Sequence, residues 1–190
     1  MNEQFRKLLK DFSKVGNVQK TVILKYKGKV PDEIIELWEE YGYGSFYNGF
    51  FKVINPDEFM EVYGLLVVDT MDEIPIFTTG MGDIIAYDTS MNSFTDYFFR
   101  YGTAECMPED NLQGIADLFE FECLGNEWFV YLPYEEAVNK YGQLEYNQCF
   151  GYTPLLSLGG YENVESLKKV DLMVHLEIIS QLQEPFSWDD

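Results

Sequence analysis

The sequence predicts an α+β fold in which a mostly antiparallel sheet is flanked by helices in a single globular unit. Two observations support this prediction. Helical and strand-like patterns are segregated along the chain instead of alternating strictly, which is typical of α+β proteins. No internal repeat or low-complexity linker divides the 190 residues, and a chain of that length can bury a large core.

Helical spacing of apolar residues predicts three helices in the N-terminal part. Residues 3–15 are predicted as an amphipathic helix that ends at Gly16. Pro31 opens a second helix, because proline is favoured in the first turn and the acids that follow it complement the helix dipole. Asn55 is the expected N-cap of a third helix, with Pro56 at its first position. The residues predicted on the buried faces of the first two helices are Phe5, Leu8, Leu9, Phe12, Ile34, Ile35, Leu37 and Trp38.

Short runs of β-branched and aromatic residues predict the strands. The first run alternates around Val22, Leu24 and Tyr26, which favours an edge strand or an extended loop with lysines pointing outward. The others are bounded by glycine-containing turns, such as Asn48-Gly49, that are typical of hairpins. The predicted strands fall in residues 20–29, 45–54, 74–87, 94–101 and 103–107.

The C-terminal part is organised around residues 149–160, where apolar and aromatic residues crowd between two glycine turns. We expect a buried segment that turns at both ends. A helical pattern over residues 164–183 is predicted to pack against it. Two shorter helices are predicted in residues 111–121 and 134–141, with a short apolar segment, residues 128–132, between them.

The net charge of −20 is distributed unevenly: residues 1–30 carry +6 and residues 31–190 carry −26. A body this acidic repels nucleic acid and anionic membranes, and it accelerates encounters with basic surfaces. Solubility alone is an equally good explanation of the acidity. The sequence contains no apolar run of membrane-spanning length and no signal-peptide pattern, so a cytoplasmic protein is expected.

No catalytic or metal-binding motif stands out in the sequence. The single histidine, His175, lies within a helical pattern and is expected to be a structural residue. The cysteines Cys106, Cys123 and Cys149 are widely spaced and odd in number, which favours reduced and mostly buried thiols. The glycines of residues 80–83 are interpreted as a hairpin turn, since a phosphate loop would continue into a helix. We therefore expect a protein that is not an enzyme and uses no cofactor or metal, with an acid-residue hydrolase as a distant alternative.

Two sets of motifs, in order along the chain, resemble known families. A proline, an amphipathic Leu-Trp helix, a glycine, an aromatic-Asn-Gly-aromatic strand and an Asn-Pro helix start follow one another in residues 30–59. This order resembles the GAD-like domain family. Residues 79–88, 141–144 and 151–160, together with Asn163 and the last helix, resemble the C-terminal domain of type VI secretion immunity proteins.

The resemblance covers residues 20–183. It divides the chain into a GAD-like part, residues 1–105, and an immunity-protein-like part, residues 106–190, which we expect to pack as one globular unit. The chain departs from the family pattern at Gln148-Cys149-Phe150, where an Asp or Glu is expected.

The resemblance implies a bacterial, non-enzymatic protein that binds and neutralises a cognate secreted toxin, in several cases a DNase. It also implies a relation to the SUKH fold, in which an α+β scaffold presents a variable binding face. The expected partner is a basic toxin, with no nucleic acid and no membrane, and the oligomeric state is left open. The alternative is a general SUKH-type scaffold with a partner that is not a toxin. The residues predicted to contact the partner, each of which could equally be a core aromatic or a solvated acid, are Glu39, Glu40, Tyr41, Tyr43, Tyr47, Asp83 and Asp88.

Overall fold

A computed structural model describes residues 1–68, 70–107, 111–120, 129 and 131–188. Its centre is a seven-stranded sheet in which every neighbouring pair is antiparallel and the strands follow one another in chain order. The strands are β1 (Ser13–Gly16), β2 (Tyr43–Phe46), β3 (Phe51–Val53), β4 (Glu73–Thr79), β5 (Ile84–Asp88), β6 (Ser93–Phe98) and β7 (Thr103–Cys106).

A second, two-stranded antiparallel sheet follows in the C-terminal part, formed by β8 (Gln148–Tyr152) and β9 (Leu167–Asp171). The α-helices are α1 (Glu3–Leu8), α2 (Lys20–Tyr26), α3 (Asp32–Glu40), α4 (Pro56–Leu66), α5 (Leu112–Glu120), α6 (Tyr131–Tyr141) and α7 (Leu172–Leu182). Short 3₁₀ helices span Leu9–Asp11, Thr70–Asp72, Leu156–Leu158 and Val164–Ser166.

The large sheet is covered by helices on both faces, which confirms the predicted α+β class. On one face, α1, α2, α3, α5 and α6 contribute to a core that contains Trp38, Phe77 and Tyr134. On the other face, α4 and α7 form a second core with the sheet residues Ile84 and Tyr97. Helices α3 and α4 bury the apolar stripes that their spacing predicts.

The turn between β4 and β5 joins the two sheets. The Gly80 amide donates a hydrogen bond of 2.6 Å to the carbonyl of Phe50, and the Gly80 carbonyl accepts one of 2.7 Å from the Phe150 amide in β8. The ring of Tyr134 lies against Gly80, where an added Cβ would stand 2.2 Å from the ring atom Cε2. A side chain at this position would therefore separate elements that the backbone bonds hold together.

Several sequence predictions are confirmed. Helix α3 buries Ile34 and Trp38 as expected, and α4 begins at Pro56 with the Asn55 side chain accepting from the Asp57 amide at 3.2 Å. The strand pairs β2–β3, β4–β5 and β6–β7 lie where the patterns predicted them. In the predicted segment 128–132, residues 128 and 130 lie outside the described residues, and Tyr131 already begins α6.

Two predictions in the N-terminal part were wrong. The helix predicted for residues 3–15 ends early, because α1 passes into a 3₁₀ turn and residues 13–16 pair with β2 as strand β1. The predicted edge strand of residues 20–29 is helix α2, which buries Val22 and Tyr26 and leaves Leu24 exposed. An apolar pair four residues apart fits both a strand and a helix, so this short pattern did not decide between them.

Two predictions in the C-terminal part also need correction. The helix predicted for residues 164–183 contains strand β9 at its start, and α7 begins only after Asp171, whose side chain accepts from the Val174 amide. The segment 149–160 is buried only as far as Tyr152, and Leu158 is exposed. The second half of that segment is therefore a surface loop.

Candidate interaction site

The residues predicted to contact a partner near α3 lie at the surface or just below it. Glu39 and Glu40 are exposed at the end of the helix, where both carboxylate oxygens of Glu40 lie 3.0 Å from Nη1 of Arg6. Tyr41 is partly buried and packs edge-on against Phe12, with ring centroids 5.2 Å apart. The acids of this helix are thus partly neutralised by the basic N-terminal segment.

Tyr47 and Tyr43 occupy different environments in the β2–β3 hairpin. Tyr47 is partly buried in the turn, has a φ of 52° and places its ring 5.1 Å from that of Tyr131. The carboxylate of Asp11 holds this turn by accepting from the amides of Tyr47 and Asn48. Tyr43, in contrast, is buried in the core. It offers little surface to a partner, so the prediction for Tyr43 needs correction.

Asp83 is fully buried, which also contradicts its predicted place at a partner surface. Its carboxylate accepts a 2.9 Å hydrogen bond from Thr79 and pairs with the buried guanidinium of Arg100. Burial alone would lower the pKa of Arg100, but the Asp83 charge and its hydrogen bond outweigh that effect, and the pKa is raised. This pair fixes the start of β5 to the turn after β6.

Asp88 is only partly exposed, and its carboxylate is engaged within its own turn. One carboxylate oxygen accepts from the amides of Ser90 and Met91, at 2.7 and 2.9 Å. Burial raises the pKa of Asp88, but a hydrogen bond from the Ser90 hydroxyl, together with these two amide bonds, outweighs burial and lowers the pKa. Its local role is that of an Asx turn between β5 and β6.

The structure singles out another part of the surface, the loop of residues 153–166 that connects β8 to β9. The side chain of Asn163 caps the 3₁₀ helix by accepting from the Ser166 amide at 2.9 Å, and the Thr153 amide donates to the Ser166 carbonyl at 2.8 Å. Gly160 leaves no room for a side chain, because an added Cβ would lie 2.1 Å from the Pro154 carbonyl oxygen. The loop is therefore pinned from within at several points.

Two open clefts flank this loop. The first, which we call the Tyr152 cleft, has a volume of about 570 Å³ and lies between the loop and α6. The second, the Arg100 cleft, has a volume of about 550 Å³ and lies between the loop, the turn after β6 and the end of α7. The hydroxyl of Tyr101 at the second cleft donates to Glu162, which lines the first. The two clefts thus belong to one surface.

The Tyr152 cleft carries an excess of negative charge. Its charged lining residues are Glu136, Glu162, Glu165 and Lys140, all exposed. The ammonium of Lys140 lies 2.9 Å from Glu165, and this contact raises the pKa of Lys140 and lowers that of Glu165. Lys140 and Glu165 therefore offset each other's charge, and the carboxylates of Glu136 and Glu162 give the cleft its net negative charge.

Tyr152 is buried beneath these charges. Only 4% of its surface is exposed, and within the described residues its hydroxyl has no hydrogen-bond partner. Burial, with smaller contributions from Tyr101 and Glu162, raises the pKa of Tyr152 to about 12. The hydroxyl stays neutral and can accept a hydrogen bond from a ligand.

Exposed apolar side chains lie on the same side of the molecule as the Arg100 cleft. Val174, Ile178 and Leu182 follow one another at four-residue spacing along α7 and expose 51%, 43% and 49% of their surface. Leu182 lines the Arg100 cleft, and the side-chain amide Nε2 of Gln183 beside it donates to the hydroxyl of Ser157 in the loop at 2.9 Å. Such a stripe on a helix is typical of a protein-interaction surface.

Other chemistry finds little support in the described part of the chain. No group of three His, Cys, Asp or Glu side chains there could hold a metal ion. Cys106 is exposed and Cys149 is buried, both as free thiols, whereas Cys123 lies outside the described residues. None of the helices seen in the described ranges combines the length and apolar character needed to cross a membrane.

Comparison with known proteins agrees with the motifs. Residues 3–96 match the family model of the GAD-like domain, and residues 109–183 match that of the T6SS immunity protein Tdi1, C-terminal. This chain carries both families' patterns in series. The second match supports a role in type VI secretion immunity, and that family implies a non-catalytic protein with a cognate toxin as partner.

The fold also occurs in a solved structure. The crystal structure of Atu4351 from Agrobacterium tumefaciens superposes with a TM-score of 0.77 at 19% sequence identity, over 96% of this chain and 90% of that chain. At this identity the likeness establishes the shared fold alone. No curated protein matches the sequence.

Proposed function

We propose that this protein neutralises a cognate secreted toxin by binding it and occluding its active site. The observation that carries the proposal is the match of residues 109–183 to the Tdi1 immunity model. The exposed apolar stripe on α7 and the pinned loop beside it support a binding role. The protein acts stoichiometrically and uses no cofactor.

We further propose that the toxin is basic and that a nuclease fits best. Residues 31–190 carry a charge of −26, which steers a positively charged partner toward the protein. An enzyme that cuts nucleic acid needs a basic groove for phosphates, and an acidic protein surface can occupy that groove in their place. Charged residues at the rim raise the association rate, whereas a few buried aromatic or arginine anchors hold the complex together.

Of the residues predicted from the sequence, Glu39, Glu40, Tyr41 and Tyr47 keep some exposure and stay candidates for this contact. They lie on α3 and the β2–β3 hairpin. We propose them as a rim, with the anchors elsewhere on the surface.

A binding and neutralisation experiment tests the proposal. The protein is mixed with the product of the neighbouring gene at low and at high salt, and complex formation and toxin activity are measured together. We expect a basic partner whose association weakens with salt and whose activity is lost in the complex. A neutral partner held equally at both salts would instead favour a general binding scaffold.

A further inference from the structure

The Tyr152 cleft has unbalanced charge. Three carboxylates and one ammonium line it, and the ammonium of Lys140 is already engaged 2.9 Å from Glu165. Glu136 has no cationic partner among the described residues. Glu162 accepts from the Tyr101 hydroxyl. A carboxylate has room for about four hydrogen bonds, so this contact leaves most of the capacity of Glu162 free for a cation.

Tyr152 provides a second, independent indication of a ligand. It is the one lining residue that is buried, so it forms the floor of the cleft. Its hydroxyl has no partner within the described residues, although buried polar groups in native proteins are nearly always hydrogen-bonded. A donor that reaches the floor of the cleft would satisfy this oxygen.

The arrangement of the acceptors selects the kind of cation. Glu136 projects from α6, Tyr152 from β8 and Glu162 from the loop, so the acceptors surround the cleft from three elements. They do not form a cluster that could hold a metal ion, as far as the described residues go. A guanidinium offers five N–H donors in a rigid plane and can serve several separate acceptors, whereas an ammonium is a compact point charge.

We infer that the Tyr152 cleft is the pocket for an arginine side chain of the protein partner, with its guanidinium between Glu136 and Glu162 and above the Tyr152 hydroxyl. This inference rests on the proposed function, because it names the part of the toxin surface that the protein recognises. Arginine is enriched among the residues that dominate the affinity of protein complexes. The cleft would therefore be an anchor point for the partner.

A small probe tests the inference without any toxin. Acetyl-arginine amide carries a guanidinium as its only charge, and its binding to the purified protein is followed by NMR shifts of backbone amides. We expect saturable shifts confined to α6, β8 and the loop. The matched probe is Nα-acetyl-lysine amide, whose side-chain ammonium is its only charge, and it should bind several-fold more weakly. Equal binding of the two probes would overturn the choice of guanidinium.

Variants identify the groups that hold the probe. The double substitution Glu136→Gln with Glu162→Gln should weaken binding at least about tenfold, because it removes two charge-assisted hydrogen bonds. Tyr152→Phe should weaken it by a smaller factor. Glu135→Gln is the matched control, since Glu135 is exposed on the same helix but does not line the cleft. Equal losses in the control and the double variant, or no saturable shift in the native protein, would overturn the inference.

The same variants separate this inference from the proposed function. If the toxin is neutralised as well by the double variant as by the Glu135→Gln protein, the cleft is not the anchor, although the immunity role stands. If the arginine probe binds as expected but no toxin is neutralised, the immunity role fails and the cleft remains a guanidinium site.

Discussion

We expect His175 to make the stability of this protein sensitive to mild acid. The side chain is buried on α7 beside Gly151, where an added Cβ would lie 2.5 Å from the imidazole Cε1. Burial lowers the pKa of His175 to about 4, whereas an unfolded histidine titrates near about 6.5. Below that value the unfolded chain binds a proton that the folded protein excludes. The stability contributed by the neutral ring is therefore complete above about pH 6.5 and is lost progressively toward about pH 4.

The size of the loss follows from the two pKa values. Between about pH 7 and about pH 5 the unfolding free energy should fall by about 2 kcal/mol through this group alone. Urea denaturation at both pH values measures the fall, and His175→Gln is the reference, since the carboxylates titrate equally in both proteins. The difference in unfolding free energy between the native protein and the His175→Gln variant should change by about 2 kcal/mol over this pH range.

A direct titration checks the cause. The chain contains one histidine, so a single imidazole resonance reports its protonation in the folded protein. A midpoint near the ordinary value of about 6.5 would refute the reasoning. The reasoning would also be refuted if the difference in unfolding free energy between the native and His175→Gln proteins stayed constant with pH.

Two further predictions concern packing and buried charge, and urea denaturation measures both. Gly80→Ala should lower the unfolding free energy by about 2 kcal/mol, because the new methyl meets the Tyr134 ring. Gly64→Ala, in α4 with its nearest neighbour 4.0 Å away, should instead raise it by up to about 1 kcal/mol; effects of the same sign would contradict this. Asp83→Asn and Arg100→Met should each cost about 3 kcal/mol or more, since each leaves a buried group unpaired. The double variant should cost clearly less than the two together, and simple additivity would show that the pair is not coupled.

Much of the fold was predictable because local signals agreed with it. Asn55 and Pro56 mark the start of α4 chemically, and the Asn48-Gly49 turn fixes the β2–β3 hairpin. Helix α2 was not predictable in this way. Its alternation of Val22, Leu24 and Tyr26 suited a strand, and only the packed structure shows that Leu24 faces solvent.

Strand β9 was missed although a signal for it exists. Asp171 is a good N-cap and stands immediately before the apolar residues of α7, so the helix could have been started there. The residues before it, Leu167 to Val170, form a strand only because they pair with β8. Pairing between distant segments is information that a single segment does not carry.

The candidate site was the least predictable part. The sequence singled out the stretch that contains Tyr152, but not Glu136 or Glu162, because the cleft forms only when α6 packs against the loop. Asp83 was expected at the surface for its charge, whereas its burial depends on Arg100, seventeen residues further along. A charged residue in a sequence can face solvent or pair with an opposite charge, and the sequence alone does not distinguish the two. Here the opposite charge lies within the same chain.

The strict chain order of strands β1 to β7 has a consequence for how the protein is made. Each strand pairs only with the strands just before and after it in the sequence, so the large sheet can assemble strand by strand as the chain leaves the ribosome. When Cys106 has emerged, every pairing of that sheet is available. The β8–β9 hairpin and α7 are synthesised after the strands of that sheet and can dock onto it through the contact between Phe150 and Gly80. The loop and clefts of the candidate site are thus synthesised later than the large sheet that supports them.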